Sequence, residues 1–342
     1  MVRPTAAQLQ QMEPLAVNEV IAQPVLAAQD TYTAASLYMI PQAGTPILAT
    51  SLGGALGMAI VDAQIKSEAK HFAESHVQPL RVALQGFDAD AALSDSLRQA
   101  LAGQPALFGH YALQGGRTAP VAAAPGMLVE TSYSMTADFS AVQVIATVSI
   151  HASGDAGGQP VYRNVLVYQS PRLSIPPKTP ADIEQMVAQE NARYAALDID
   201  AQIQRANDAL AKHDPEVGRL RDKITEEQFR HRQNLAAARF AIWGPDIQAS
   251  RLCLLWAKDD GAALKAALRA SGAEIAHMLQ LDLAGQAVDA NATSPRTVFQ
   301  DGTRSIEYLR GGRMISLASS DTDAAQKKAA APVFMVAPPV RR

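Results

Sequence analysis

Between Met127 and Tyr168 the hydrophobic period of the chain shortens from 3.6 to 2, and this constrains the fold more than any other feature. Met127 to Met135 alternates, with Val129, Thr131, Tyr133 and Met135 on one face. Phe139 to Ile150 alternates through Val142, Val144, Ala146, Val148 and Ile150. Successive side chains of a strand point to opposite faces, so each run predicts a strand with one buried face. Thr136-Ala137-Asp138 is short enough to close the two into a hairpin, and Gly154 to Gly158 turns the chain into a third strand, Val161 to Tyr168. A short strand near Tyr111 to Leu113 precedes them. The expected fold class is α+β: a small antiparallel sheet of three or four strands packed on helices.

Helical spacing surrounds this core. A helix entering from Ile47 should run past Lys70 to the segment His76 to Pro79, where the proline predicts a break or kink. Asp88 or Asp90 caps a helix ending at Leu101, with Gly103 just beyond. Thr179-Pro180-Ala181-Asp182 opens a helix expected to reach Lys212, and Asp214-Pro215 opens a second by the same device. So short a turn predicts a long antiparallel helical hairpin. Ile247 to Ala257 and Gly261 to Leu283 read as further apolar helix. Thr297 to Leu317 carries Asp301-Gly302 and Gly311-Gly312 between β-type runs, predicting a hairpin or three short strands. Thr31 to Ile40 reads as extended chain closed by Pro41. The domains expected are an N-terminal extension (1–30), an α+β domain (31–175), a helical hairpin (176–285), a C-terminal β-hairpin (286–320) and a disordered tail (321–342).

Charge narrows the function classes. The net charge is −3 with 18% charged residues, which argues against a wholly disordered chain and against a nucleic-acid binder that relies on a basic surface. Alanine makes up about a fifth of the chain, so its high apolar content implies a lean core rather than a large one. Residues 1–175 hold 8 Lys/Arg and 12 Asp/Glu, a balance of −4; the rest hold 22 and 21, a balance of +1. The denser charge of the second half fits exposed amphipathic helices.

Motifs for chemistry are sparse. Gly53-Gly54-Ala55-Leu56-Gly57 departs from the G-x-G-x-x-G of dinucleotide turns, and no G-x-x-x-x-G-K-[ST] occurs. His71 and His76 are five apart around Glu74; two imidazoles share a helix face at a spacing of four, so a solvated surface is expected. His151 lies at a strand end, His213 near a helix C-terminus, His231 on a charged helix face and His277 at a core edge. Cys253, inside Leu252-Cys253-Leu254-Leu255-Trp256, reads as a small buried hydrophobe. Asp259-Asp260 reads as a helix cap, Asp198/Asp200 lack a third ligand, and Asn291-Ala292-Thr293 is a glycosylation-type triplet. No catalytic residue, cofactor site or metal site is assigned.

The uncharged stretch from Thr31 to Val61 stands out. Ala49, Gly53, Gly54, Gly57 and Val61 place small residues on one helix face, where another helix or a membrane could approach closely. Ile47 to Val61 falls short of the about 20 residues of a spanning helix, so buried packing is expected first.

The segment Leu52 to Ala63, the run Val161-Tyr162-Arg163-Asn164-Val165-Leu166-Val167-Tyr168-Gln169-Ser170-Pro171 and the closing Gly311-Gly312-Arg313-Met314-Ile315-Ser316 together resemble uncharacterised proteobacterial cell-envelope lipoproteins. The resemblance, over about residues 30–320, implies periplasmic residence and a lipid anchor at the outer membrane, although no lipobox cysteine stands in this sequence. It implies a non-catalytic scaffold or interaction module whose partners are other envelope proteins, with self-association as an option. The alternatives are a membrane-inserting or oligomeric assembly protein that uses the Gly53/Gly57 helix, an enzyme gathering His151, His213 or His277 with carboxylates, and a cytoplasmic location.

Overall fold

The computed structural model of the chain describes residues 4–21, 23, 25–29, 70–114, 126–152, 159–284, 295–309 and 312–319. In chain order its strands are β1 (Leu15–Ile21), β2 (Ala27–Ala28), β3 (Phe108–Gln114), β4 (Gly126–Met135) and β5 (Val142–His151). They continue as β6 (Tyr162–Gln169), β7 (Arg296–Gln300), β8 (Arg304–Tyr308) and β9 (Met314–Ala318). The helices are α1 (Ala6–Met12), α2 (70–83), α3 (Ala89–Ala102), α4 (Pro180–Ala196), α5 (Ile199–Ala211), α6 (Val217–Arg239) and α7 (Pro245–Leu283). The chain divides into a sheet unit, Met1–Ser174 with Ala249–Arg342, and a helical unit, Ile175–Gln248.

The alternating runs form the strands they predict. β4 and β5 pair antiparallel with Val129 opposite Val148 and Tyr133 opposite Val144, and β5 pairs antiparallel with β6. Val129, Thr131, Tyr133 and Met135 are buried, as are all five alternating residues of β5. The hairpin closes through Phe139, whose φ of 57° is left-handed. Its buried ring rests against Phe72 and His76, and its carbonyl accepts from Trp256 Nε1. That packing offsets the 1–2 kcal/mol, roughly, that a left-handed non-glycine residue costs.

The sheet itself corrects the expectation of three or four antiparallel strands. Among the described residues it has nine strands of mixed direction in the order β3-β1-β4-β5-β6-β9-β8-β7, with β2 also on β4. β1 runs parallel to both β3 and β4, and β9 runs parallel to β6. The C-terminal hairpin is therefore three strands that extend the central sheet. β1 is hard to see in the sequence because five of its seven residues are buried, and a strand closed in by partners loses the alternation of a half-exposed one.

Three helical expectations also change. Pro79 does not end α2, which continues to 83. Ala73, Val77, Leu80 and Ala83 form one buried stripe. Burying Val77 and Leu80 at roughly 1.5–3 kcal/mol each outweighs the about 3 kcal/mol of an interior proline. The long hairpin is instead three helices, because the run from Thr179 breaks at Asp198, where φ is 46° and the carboxylate caps Ala201 N. α4 and α5 both pack on α6 around Ile199, Ala206 and Ile224. α6 starts at Val217, and Asp214 instead closes a tight turn onto Glu216 N.

α7 contains the interruption that the two apolar runs predict, but with unexpected geometry. Asp259, Asp260 and Gly261 are successively left-handed, at φ 52°, 56° and 68°. Asp260 pairs with Lys265 at 2.6 Å rather than capping the helix.

Candidate functional site

Two tyrosine–carboxyl pairs lie beneath α3 in the sheet unit. Glu19 projects from the doubly paired strand β1 and is wholly buried; it accepts from Tyr111 Oη and, at 3.0 Å, from Thr131 Oγ1. Burial raises its carboxyl above the ordinary glutamate range, against the pull of these hydrogen bonds. In the first turn of α3, Asp90 accepts from Tyr133 Oη at 2.9 Å and is likewise raised, chiefly by burial. Asp88 caps α3 at Ala91 N. Asp88, Asp90, Tyr133, Arg81, Phe87 and Leu26 line a small cavity of about 210 Å³. Arg81 is committed: its Nε donates to Leu26 O, and its guanidinium pairs with Glu74.

Elsewhere in this unit, Asp282 at the end of α7 accepts from Tyr162 Oη, Asn164 Nδ2 and Tyr308 Oη, each at 2.7 Å. These donors come from β6 and β8, so the carboxylate clamps α7 onto two strands.

The helical unit holds a denser network. Glu190 accepts from Arg193 at 2.8 and 2.9 Å, from Asn234 at 3.1 Å, and lies 2.9 Å from His231 Nδ1. The Arg193 guanidinium and these further partners lower its carboxyl to about 2. Arg193 also reaches Glu227, which Arg230 holds from the other side. The His231 ring stacks on Tyr194 with centroids 3.9 Å apart. Lys178 is buried, and its Nζ donates to Ala237 O and Ala238 O, closing the end of α6. Glu190, Arg193, Asn234, Lys178 and Asp246 line a groove of about 570 Å³.

Besides this paired network, the same unit exposes large apolar side chains: Ile203, Leu210, Phe229, Phe240 and Ile242. Ile203 and Leu210 are seven residues apart on α5 and share a face. The arrangement suits binding: charges fixed by one another, with apolar side chains left exposed.

Ala49, Gly53, Gly54, Gly57 and Val61 lie outside the described residues, as does the segment Thr31 to Ile40. A close helix contact made by a small residue occurs instead at Gly272. A Cβ there would lie 2.4 Å from Leu97 N, and Ala273 N donates to Ser96 Oγ across the same crossing of α3 and α7. Cys253 is buried, and burial pushes its thiol up to about 12. His231 is paired with Glu190 rather than solvated, and His76 packs on Phe72 and Phe139 rather than facing water. His277 meets Phe299 edge-on, which suits a core edge. His213 belongs to the helical unit, whereas His151 and His277 belong to the sheet unit.

The Glu190 network is not evident from the sequence because its members are spread over two helices. The signal available was the spacing of Glu190 and Arg193 on one helix and of Glu227, His231 and Asn234 on the other. Among the described residues no group of three His, Cys, Asp or Glu is placed to hold a metal ion, and no helix is long and apolar enough to cross a membrane. Comparison of the chain with protein-family models, curated proteins and solved structures gives no match.

Proposed function

We propose that the chain is a non-catalytic interaction module of the bacterial cell envelope, in which the sheet unit is the scaffold and the helical unit the binding part. The observation that carries this reading is the exposed apolar set Ile203, Leu210 and Phe229 on a unit whose charges around Glu190 are already internally paired. Ile203 and Leu210 share one face of α5, and apolar side chains gathered on a face, unlike ones scattered singly, mark interaction sites. The buried carboxylates support the same view: Asp282, Glu190 and Glu19 each accept from protein donors, so their chemistry is spent on holding elements together. The envelope setting comes from the resemblance of the Leu52, Val161 and Gly311 segments to envelope lipoproteins. The partners are other envelope proteins, and no cofactor or nucleic acid is called for.

The test is the cellular address of the native gene product, epitope-tagged at its C-terminus in its source bacterium. Recovery in the envelope fraction, facing the periplasm, is the expected outcome. Recovery in the cytosolic fraction contradicts the reading.

A further inference from the structure

The loop after α6 presents three successive exposed residues, Phe240 to Ile242, ahead of a buried tryptophan. Phe240 is extended (φ −68°, ψ 140°) and 68% exposed, Ile242 is 75% exposed, and Trp243 between Ile242 and Gly244 is only 7% exposed. The anchoring of this loop is firm. Trp243 Nε1 donates to Pro176 O at 2.9 Å, Lys178 Nζ sits over the Trp243 ring, and Lys178 N donates to Ala241 O at 2.8 Å. The two apolar side chains are thus presented on fixed backbone, with their entropy cost of ordering already met in part.

Two exposed cations precede this loop on α6 and suit an anionic partner. Arg232 and Arg239 are seven residues apart on α6, share a face, and are exposed; unlike Arg230, neither takes part in an ion pair among the described residues. A helix end normally presents bare carbonyls with negative character, which would repel an anion. Here the buried Lys178 covers the carbonyls of Ala237 and Ala238 at 2.8 and 3.3 Å, which offsets part of that field at the end beside Phe240. Asp246, the acidic residue closest in sequence to Ile242, already has a partner of its own.

We propose that the Phe240–Ile242 loop, with Arg232 and Arg239, docks the helical unit on an anionic lipid surface, the two apolar side chains entering the interface and the arginines meeting the headgroups. Two side chains are far too small a patch for a stable protein interface, which needs about 800 Å² from each partner. They suit a bilayer interface, where each inserted apolar side chain and each nearby cation adds separately. This names a partner for the helical unit and so rests on the reading of that unit as the binding part.

The experiment is flotation of the purified chain with vesicles of equal parts phosphatidylethanolamine and phosphatidylglycerol, and with phosphatidylcholine vesicles. The expected result is flotation with the anionic vesicles only, weakened by salt. Arg232→Gln with Arg239→Gln should lower the partition about thirtyfold, at about fivefold per arginine. Phe240→Ser with Ile242→Ser should lower it at least tenfold, roughly, while both variants melt like the parent because the altered side chains are exposed. The proposal is overturned if the parent stays at the bottom, if it floats equally with phosphatidylcholine, or if the Phe240/Ile242 variant floats unchanged. Because no cell is involved, a failure here leaves the cellular address untouched, and a cytosolic address leaves the flotation result standing.

Discussion

At the scale of single residues, the polar side chains buried in the sheet unit decide more than their number suggests. Asp282 satisfies three donors at once, and an alanine in its place would remove a buried acceptor from the Tyr162 and Tyr308 hydroxyls and the Asn164 amide. Asp282→Ala should therefore lower the stability of the sheet unit by about 3 kcal/mol or more, read from chemical denaturation. Glu19 acts in the opposite sense. Its carboxyl is raised in the folded protein, so the folded state holds a proton at a pH where the unfolded chain has released it. Stability from this group is greatest below the unfolded value of 4.5 and is lost as the pH rises through the folded value. Glu19→Gln should flatten that decline. Denaturation midpoints of the two proteins measured from pH 4 to pH 8, roughly, should converge at the acid end and separate above it, the variant being the more stable.

At the scale of elements, the crossing of α3 and α7 depends on Gly272 lacking a side chain. A Cβ added at that position would meet Leu97 N at 2.4 Å and Leu93 O at 2.8 Å, so any side chain forces the helices apart. Gly272→Ala should destabilise by about 1–3 kcal/mol despite alanine's better helix propensity, as thermal melting would register. What could be read in the sequence at this scale follows from period and caps. The alternation through Val129–Met135 and Val142–Ile150 fixes strand and register, because one face of each strand is buried and the other is less so. Asp88 with Gly103, and Thr179 with Pro180 and Asp182, mark helix ends through local hydrogen bonds that need no distant partner. β1 stays hidden because its pairing partners lie near residues 110 and 128, and its central Glu19 looks polar until Tyr111 and Thr131 are brought beside it. The break at Asp198 is hidden for a related reason, since a left-handed aspartate leaves no periodic trace. Gly272 sits in an apolar helical run, where nothing local separates it from any tolerated glycine.

At the scale of the whole molecule, the two units rest on different forces. The sheet unit buries continuous rows of apolar side chains across its strands, whereas the helical unit has a small apolar core around Ile199, Ala206 and Ile224 and a large share of ion pairs. Glu190 carries much of the latter. Its lowered carboxyl contributes stability that is complete above the unfolded value of 4.5 and is lost as the pH falls through about 2. Glu190→Gln should weaken the helical unit at neutral pH, and the gap to the parent should close on acidification, followed by helical circular dichroism. The lean core and the exposed apolar set are what the proposed role of this unit as the binding part calls for. The decisive measurement is photocrosslinking in the cells that make the protein, with the reactive residue placed at Ile203, Leu210 or Phe229. These positions should yield a common discrete adduct with an envelope protein, and exposed Glu130 on the sheet unit should not. Absence of any adduct from the three helical positions, or the same adduct from Glu130, would contradict the assignment of the helical unit as the binding part.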